Sequence, residues 1–490
     1  MLKVISMYLP QFHEIKENNE WWGEGYTEWT AVKGAKQYFD GHYQPHVPLN
    51  KNYYNLLDKK TMSWQAELMK KYNVYGQSFY HYYFEDGRKI LEKPAENLLQ
   101  WKDIDMPFCF TWANESWIRT WSAINGVCWN SNIEERPKGD GILLKQNYGE
   151  KKEWIDHFNY LLDFFKDERY IKIDNKPLFI VYKPLDIYCI DEMSLVWEKL
   201  AVENGFSGIY FVGVNASFKA ASAILLLESN NVGLYLDKIT QYEQVCEQIV
   251  TSAAIAEEKV LFCGTPGYDD SPRRGKRGSI FKDSTPELFY EQMKNLSYIS
   301  KLKNNEFLFV NAWNEWGEGM YLEPDEIYEY QYLDALKRGV IDGNNLDNEG
   351  IEKCKRIVEK GKSIRIKKQD DRIKQLKFYE GIYEKLLKGY EKNHTFATIL
   401  MDLNVKSAAI YGLGNIGRHI IAELKGTEIE IAYGIDKDAT EINTGFFVYT
   451  IDDVLPEVDI VIVTTPKADF EKLKKKKCKY MTIEELMNVV

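Results

Sequence analysis

Short β-rich runs recur through the first two-thirds of the chain, and this rhythm constrains the fold more than any other feature: "LKVISMYL", "VYGQSFYHYYF", "PFCFTWAN", "PLFIVYKP", "IYFVGVN", "KVLFCGTPG" and "FLFVNAWNEW". Between them lie amphipathic stretches such as "EWIDHFNYLLDFFKDERY" and "TPELFYEQMKNLSYISKL". Their apolar residues return every three or four positions, as a helix requires. With an eighth strand expected near "NVGLYLDKI", the alternation over residues 1–343 predicts an α/β protein built on a (β/α)8 TIM-type barrel with long loops. Spacing alone leaves an open parallel sheet as the alternative.

Residues 344–404 are mostly charged, with Ile373, Leu376, Ile382 and Leu386 near helical spacing, and read as a helical linker. Its lysines suit a solvated face better than peripheral contact with acidic lipid or another subunit. Residues 405–490 read as a small Rossmann-like α/β domain: "SAAIYGLGNIGRHIIAELKG" is strand, glycine turn and helix, followed by "EIEIAYGID" and "VDIVIVTTP". Gly412, Gly414 and Gly417 form GxGxxG, and Asp436 ends the second strand. These four are candidate cofactor-binding residues for a nucleotide or nucleotide sugar. Close helix-to-strand packing also demands such glycines, so a structural or regulatory appendage is the competing reading.

A formal net charge of -11 argues against a nucleic-acid binder, because such a domain carries a basic footprint. The first residues lack a secretory pattern, and no run of about 18 apolar residues occurs later. A cytoplasmic protein without a membrane span is the expectation. Seven cysteines without a CxxC pair fit reduced thiols and no zinc site; no metal is expected.

In a barrel, reactive groups sit where strands end at the C-terminal face. "FLFVNAWNEWGEGMYLEPD" is such an end, with Glu315 and Glu318 set among Trp313, Asn314 and Trp316. Cleaving a glycosidic bond needs a proton donor at the leaving oxygen and a second carboxylate at the sugar. The tryptophans are expected to wall the sugar and to raise one carboxyl pKa. Two acids opening a helix is the plainer alternative. A second strand end, "PFCFTWANESWIRTW", brings Trp112, Asn114, Glu115, Trp117, Arg119 and Trp121. Glu115 is there either a hydroxyl ligand or an acid, unless it only pairs with Arg119 one helical turn away.

The long aromatic loop near the N-terminus holds Glu28, Trp29, His42, Gln44 and His46, read as polar and stacking sugar contacts, since loops of this length are usually functional. In "FYHYYF", Tyr80, His81 and Tyr82 are expected site walls, with core filling the alternative. "PGYDDSPRRGKRG" offers Asp269 and Arg273 for a charged sugar or a diphosphate.

Taken together, "YLPQFH", "NEWWGEGYTEW", "GHYQPH", "FYHYYF", "PFCFTWANESW", "PGYDDSPRR" and "NAWNEWGEGMYLEPD" resemble the WbsX family of polysaccharide-biosynthesis proteins, also described as glycoside hydrolase family 99-like. The resemblance covers residues 1–343. It implies a (β/α)8 barrel working in bacterial O-antigen or capsule synthesis, often under the label glycosyltransferase. The related family 99 enzymes carry Glu-Trp-x-Glu, which falls here on Glu315, Trp316, Gly317 and Glu318. Carried over, Glu315 is the base that helps the sugar 2-hydroxyl form a 1,2-anhydro intermediate, and Glu318 is the acid/base. Those enzymes have a histidine where this chain has Gly317. The implied partner is an oligosaccharide or lipid-linked glycan, with no cofactor required by the barrel. A nucleotide-sugar-dependent glycosyltransferase and a noncatalytic glycan-binding scaffold are the alternatives.

Overall fold

The computed structural model describes residues 2–118, 142–227, 239–256, 259–275, 278–346, 348–391, 394–436, 446–465 and 468–488. The chain divides into two compact units, Met1–Lys362 and Ser363–Val490.

The first unit is a closed barrel of parallel strands: β1 (Lys3–Tyr8), β2 (Val74–Tyr83), β3 (Phe108–Trp112), β4 (Lys176–Val181), β5 (Tyr210–Val214), β6 (Ala221–Leu226), β7 (Val260–Gly264) and β8 (Phe307–Val310). Each pairs with the next in chain order, and β1 closes the ring against β8 and β2, with Val4 opposite Leu308 and Tyr8 opposite Phe79. Strands covered on both faces need unbroken apolar runs, and β3, "FCFTW", is buried at every position. All seven runs singled out in the sequence are strands of this ring.

The eighth strand differs from expectation. "NVGLYLDKI" falls almost wholly on residues 231–238, outside the described residues, and the ring is completed instead by β6, "ASAILL". Parallel neighbours ordinarily need a crossover of a dozen or more residues, but only residues 215–220 separate β5 from β6. Asn215 makes the short return work. It adopts φ 55°, a conformation asparagine tolerates, and its side chain both donates to the Leu227 carbonyl at 3.2 Å and accepts from the Leu227 amide at 2.7 Å.

The second unit contains five parallel strands, β9 (Ser407–Tyr411), β10 (Glu430–Ile435), β11 (Phe447–Tyr449), β12 (Ile460–Val463) and β13 (Tyr480–Thr482), in the order β11-β10-β9-β12-β13. A helix of 44 residues, Asn348–Glu391, leads into it. Ile382 and Leu386 of this helix join the unit's core, whereas Ile373 and Leu376 are exposed. The nine-residue step from Ile373 to Ile382 turns about 180° around the helix, so the two cannot share a face. No helix among the described residues is long and apolar enough to cross a membrane.

Candidate active site

The C-terminal mouth of the barrel holds a cleft of about 440 Å³. Its walls come from the residues that end or follow the strands: Leu9 after β1, Tyr80 and Tyr82 of β2, Ala113 and Glu115 after β3, Tyr182 and Lys183 after β4, Tyr268 after β7 and Asn311 after β8. Glu315, Glu318 and Arg273 also line it.

The two glutamates are presented by a hairpin. Asn314–Glu315 pairs antiparallel with Met320–Tyr321, and the turn between them, Trp316–Glu318, is a single 3-10 turn closed by Gly319 at φ 60°. Asn314 fixes its start: its amide accepts from the Leu9 N–H at 2.8 Å and donates to the Leu9 carbonyl at 3.0 Å. Anchored in this way to the end of β1, the hairpin turns the next residue, Glu315, to the cleft. The loop after β7 locks onto it from the other side, with the Asp269 amide donating to the Glu318 carbonyl at 2.6 Å.

Arg273, on the short helix Ser271–Arg274, joins three carboxylates. Its Nη2 lies 3.0 Å from Glu315 Oε2, its Nη1 bonds Glu318 Oε1, and its Nε donates to Glu28 Oε1 at 2.8 Å. Burial raises the Glu315 pKa well above the ordinary carboxylate range; Arg273 opposes this, while Glu318 and Glu28 add to it. Burial likewise raises Glu28 against the pull of Arg273. Burial alone would lower the Arg273 pKa, but its three carboxylates hold the guanidinium charged. Burial beside a shared cation thus favours a proton on Glu315 at neutral pH. Among the described residues the other cations lining the cleft are paired too, Arg274 with Asp270 at 3.0 Å and Lys183 with Glu115 at 3.6 Å.

The family model described as "Glycosyltransferase WbsX" matches residues 4–226 and 216–336. The chain belongs to that family. A second model, "D-isomer specific 2-hydroxyacid dehydrogenase, NAD binding domain", matches residues 373–482. Proteins named "Uncharacterized protein WxcX" from two strains of Xanthomonas campestris pv. campestris are each 28% identical to the chain over 362 residues, which is 69% of this chain and 49% of theirs. The chain thus spans about half the length of the curated relatives it matches. Among solved structures, a GH99 endo-α-mannosidase from Bacteroides thetaiotaomicron in complex with bis-tris-propane is 15% identical, at TM-score 0.43 over 70% of this chain and 98% of that one. A glycoside hydrolase-like protein is 13% identical, at TM-score 0.43 over 69% and 94%.

Within the WbsX barrel, the residues singled out in the sequence separate into cleft and support. Tyr80, Tyr82, Glu115, Trp117 and Arg273 reach the cleft with the glutamate pair. Arg119 and Trp121 lie outside the described residues. Trp313 and Trp316, expected to wall the sugar, are instead fully buried. Their indole N–H groups donate to Glu323 at 2.9 and 2.8 Å, and Trp316 stacks on Tyr321 at 3.8 Å. The aromatic wall is built from Tyr80, Tyr82, Tyr182, Tyr268, Trp22, Tyr26 and Trp117 instead. Trp29 packs behind it on Phe12 and Trp316, with its N–H on the Tyr54 carbonyl.

Alternation along β2 explains His81: with Tyr80 and Tyr82 turned to the cleft, His81 must point outward. There its Nε2 meets that of His157 at 2.8 Å, and burial lowers its pKa to about 3. Trp112 packs on His157 as well and donates to the Tyr83 carbonyl. Asn114 repeats the Asn314 clamp on the backbone of Lys183, 2.8 Å in both directions. Asp269 is buried and accepts from Gln44 at 2.7 Å and from the Ser271 amide at 2.9 Å, with His42 at 2.7 Å; these bonds hold its pKa down against burial. His46 meets the Tyr321 hydroxyl at 2.5 Å. His42, His46 and Asp269 line a separate cavity of about 190 Å³. Glu28 is fully buried and does not reach the cleft.

Sequence reasoning passed over Glu323. This buried carboxylate accepts from both tryptophans, from Gln65 at 2.7 Å and from Tyr54 at 2.8 Å, and burial pushes its pKa up to about 7 despite those donors. Tyr182 and Lys183 were also missed, although "PLFIVYKP" ends a strand at the same mouth and the same rule points to them.

In the second unit the glycines divide the work. Gly412 has φ 98°, and a Cβ there would lie 2.8 Å from Thr464 Oγ1; a Cβ on Gly417 would lie 2.2 Å from the Gly412 carbonyl. Gly414 faces open space. Asp436 accepts from the Leu413 amide at 2.8 Å, tying the end of β10 to the glycine turn. Among the described residues no group of three or more His, Cys, Asp or Glu side chains is placed to hold a metal ion.

Proposed function

We propose that the chain is a carbohydrate-active enzyme of surface-polysaccharide biosynthesis that cleaves or transfers a glycosidic bond with Glu315 and Glu318. The observation that carries this reading is the joint attachment of both glutamates to Arg273 at the floor of a tyrosine-walled cleft. One guanidinium keeps the two carboxyls close, and burial leaves a proton among them, so the cluster contains an acid and a base at the same pH. The tyrosines supply flat faces for sugar rings and hydroxyls for their edges. The resemblance to family 99 implies Glu315 as base, whereas burial favours a proton on Glu315 in the resting cluster. On this reading the proton moves to Glu318 as a sugar displaces part of the Arg273 contact.

The family's description favours a second reading, transfer from a nucleotide sugar. A diphosphate calls for cations free to receive it, and the three cations that line the cleft among the described residues are already within reach of carboxylates. For that reading the glycine turn of the second unit, with Gly414 open, is the better place for a nucleotide. The test is turnover of α-linked oligosaccharides with and without nucleoside diphosphate sugars, repeated on the Glu315→Gln, Glu318→Gln double variant. Product from an oligosaccharide alone, lost in the variant, supports the first reading. Turnover only with a nucleotide sugar overturns it in favour of the second, and binding without any turnover leaves a glycan-binding protein.

A further inference from the structure

We propose that Glu28 is a positioning residue for the Glu315 and Glu318 pair, acting through Arg273 in the space that Gly317 leaves open. The inference rests on the reading of that pair as the reacting carboxyls. Glu28 opens the helix Glu28–Gly34 and is 0% exposed, so a sugar in the cleft cannot touch it. A buried carboxylate is costly unless a cation and hydrogen bonds satisfy it, and here Arg273 is the main support, with the Gly317 backbone beside it: Glu28 Oε1 lies 2.8 Å from both Nε and Nη2 of Arg273, while Oε2 has no hydrogen-bond partner among the described residues. A contact at the Nε edge fixes the plane of a guanidinium. With the plane fixed, Nη1 and Nη2 can only point at Glu318 and Glu315, which are their partners. Glu28 thus sets the orientation of a fork whose tines hold the pair.

The geometry at Gly317 explains why this position of the turn between the two glutamates carries no side chain. A Cβ built there would lie 1.7 Å from Glu28 Oε1 and 2.9 Å from Arg273 Nε. Any other residue would push the buried carboxylate off the arginine. Gly317 has no need of its flexibility in this 3-10 turn; what it provides is volume. Glu28 and position 317 are therefore coupled, although they stand at opposite ends of the barrel sequence.

The positioning also acts on charge. The groups facing Glu315 are Arg273, Glu318 and Glu28, with Tyr80 and Tyr82 across the cleft. Glu28 adds a negative charge that Arg273 must share, so it weakens the cation's hold on Glu315 and helps to keep the proton there.

Three measurements on the full chain test the inference. In thermal unfolding, Gly317→Ala should lower Tm clearly in the native background, and this loss should at least halve in Glu28→Ala, where the colliding carboxylate is gone. Equal losses in both backgrounds overturn the coupling. In carbon-13 carboxyl NMR, with Glu315 assigned by its loss in Glu315→Gln, the titration midpoint of Glu315 should fall on the order of one pH unit in Glu28→Gln. An unmoved midpoint overturns the electrostatic role. With the oligosaccharide that the wild-type chain turns over, Glu28→Gln should lower kcat on the order of 10²-fold at unchanged KM; a raised KM at unchanged kcat overturns positioning in favour of direct substrate contact. The unfolding cycle and the titration need no turnover, so they decide the inference even if no reaction is found.

Discussion

Glu315 and Glu323 stand eight residues apart on one hairpin segment, both are buried, and burial raises the pKa of both. They are satisfied in opposite ways. Glu323 meets four neutral donors, Trp313, Trp316, Gln65 and Tyr54, and none of its bonds depends on another charge. Glu315 has a fraction of one arginine, which it shares with Glu28 and Glu318, and it borders an open cleft. A carboxylate saturated by fixed neutral donors is architecture: it orients the indoles that shape the loop. One held by a divided cation at a solvent-filled cleft is poised to exchange partners and protons.

The largest expected effect tests the open side of this contrast. Glu315→Gln should reduce turnover by about 10² to 10⁴-fold while thermal unfolding hardly moves, because Arg273 retains two carboxylates. A large loss of Tm with activity retained would erase the distinction. Glu323→Ala should do the reverse, destabilising the protein by about 3 to 4 kcal/mol as four buried donors lose their acceptor, measured by denaturant unfolding.

The pH dependence separates the two at a finer level. A folded pKa of about 7 for Glu323, against an ordinary 4.5, means that the folded state binds more protons than the unfolded one between these values. Stability is therefore highest below about pH 4.5 as far as this group is concerned, and it declines as pH rises to about 7, by up to about 3 kcal/mol. Glu323→Gln should flatten that decline in Tm measured from pH 4 to 8. An unchanged slope would place the titration elsewhere. The smallest effect is that of single donors: Trp313→Phe and Trp316→Phe should each cost about 1 kcal/mol, with KM unchanged, since neither ring reaches the cleft. A raised KM in either variant would restore the tryptophans to the sugar wall.

Strand order and glutamate position were legible in the sequence because both arise from local pattern. Apolar runs such as "FCFTW" can only be covered on both faces, and a barrel strand that ends at Val310 must deliver the next residues to its mouth. The legible part stopped where a side chain's direction depends on a distant partner. His81 shares a run with Tyr80 and Tyr82, and the alternation was visible, but which set faced inward was not. Asn114 and Asn314 look like sugar ligands in "WANES" and "WNEW", yet each spends its amide on a neighbouring strand end. The eighth strand was missed because β6 comes after β5 without the helix whose period would have announced it.

By itself the sequence determined a barrel, a linker helix, a glycine-turn domain and a pair of glutamates at a strand end, because period, turn chemistry and topology are written within short stretches of chain. Only the tertiary structure decided that Glu28 is buried beneath the pair, that Glu323 collects the two indoles, and that Gly317 is there for the sake of a carboxylate from the other end of the barrel. The Glu28 relations join residues hundreds of positions apart, which only closure of the ring brings within hydrogen-bonding distance, and the Glu323 contacts depend on how the hairpin packs into the barrel mouth.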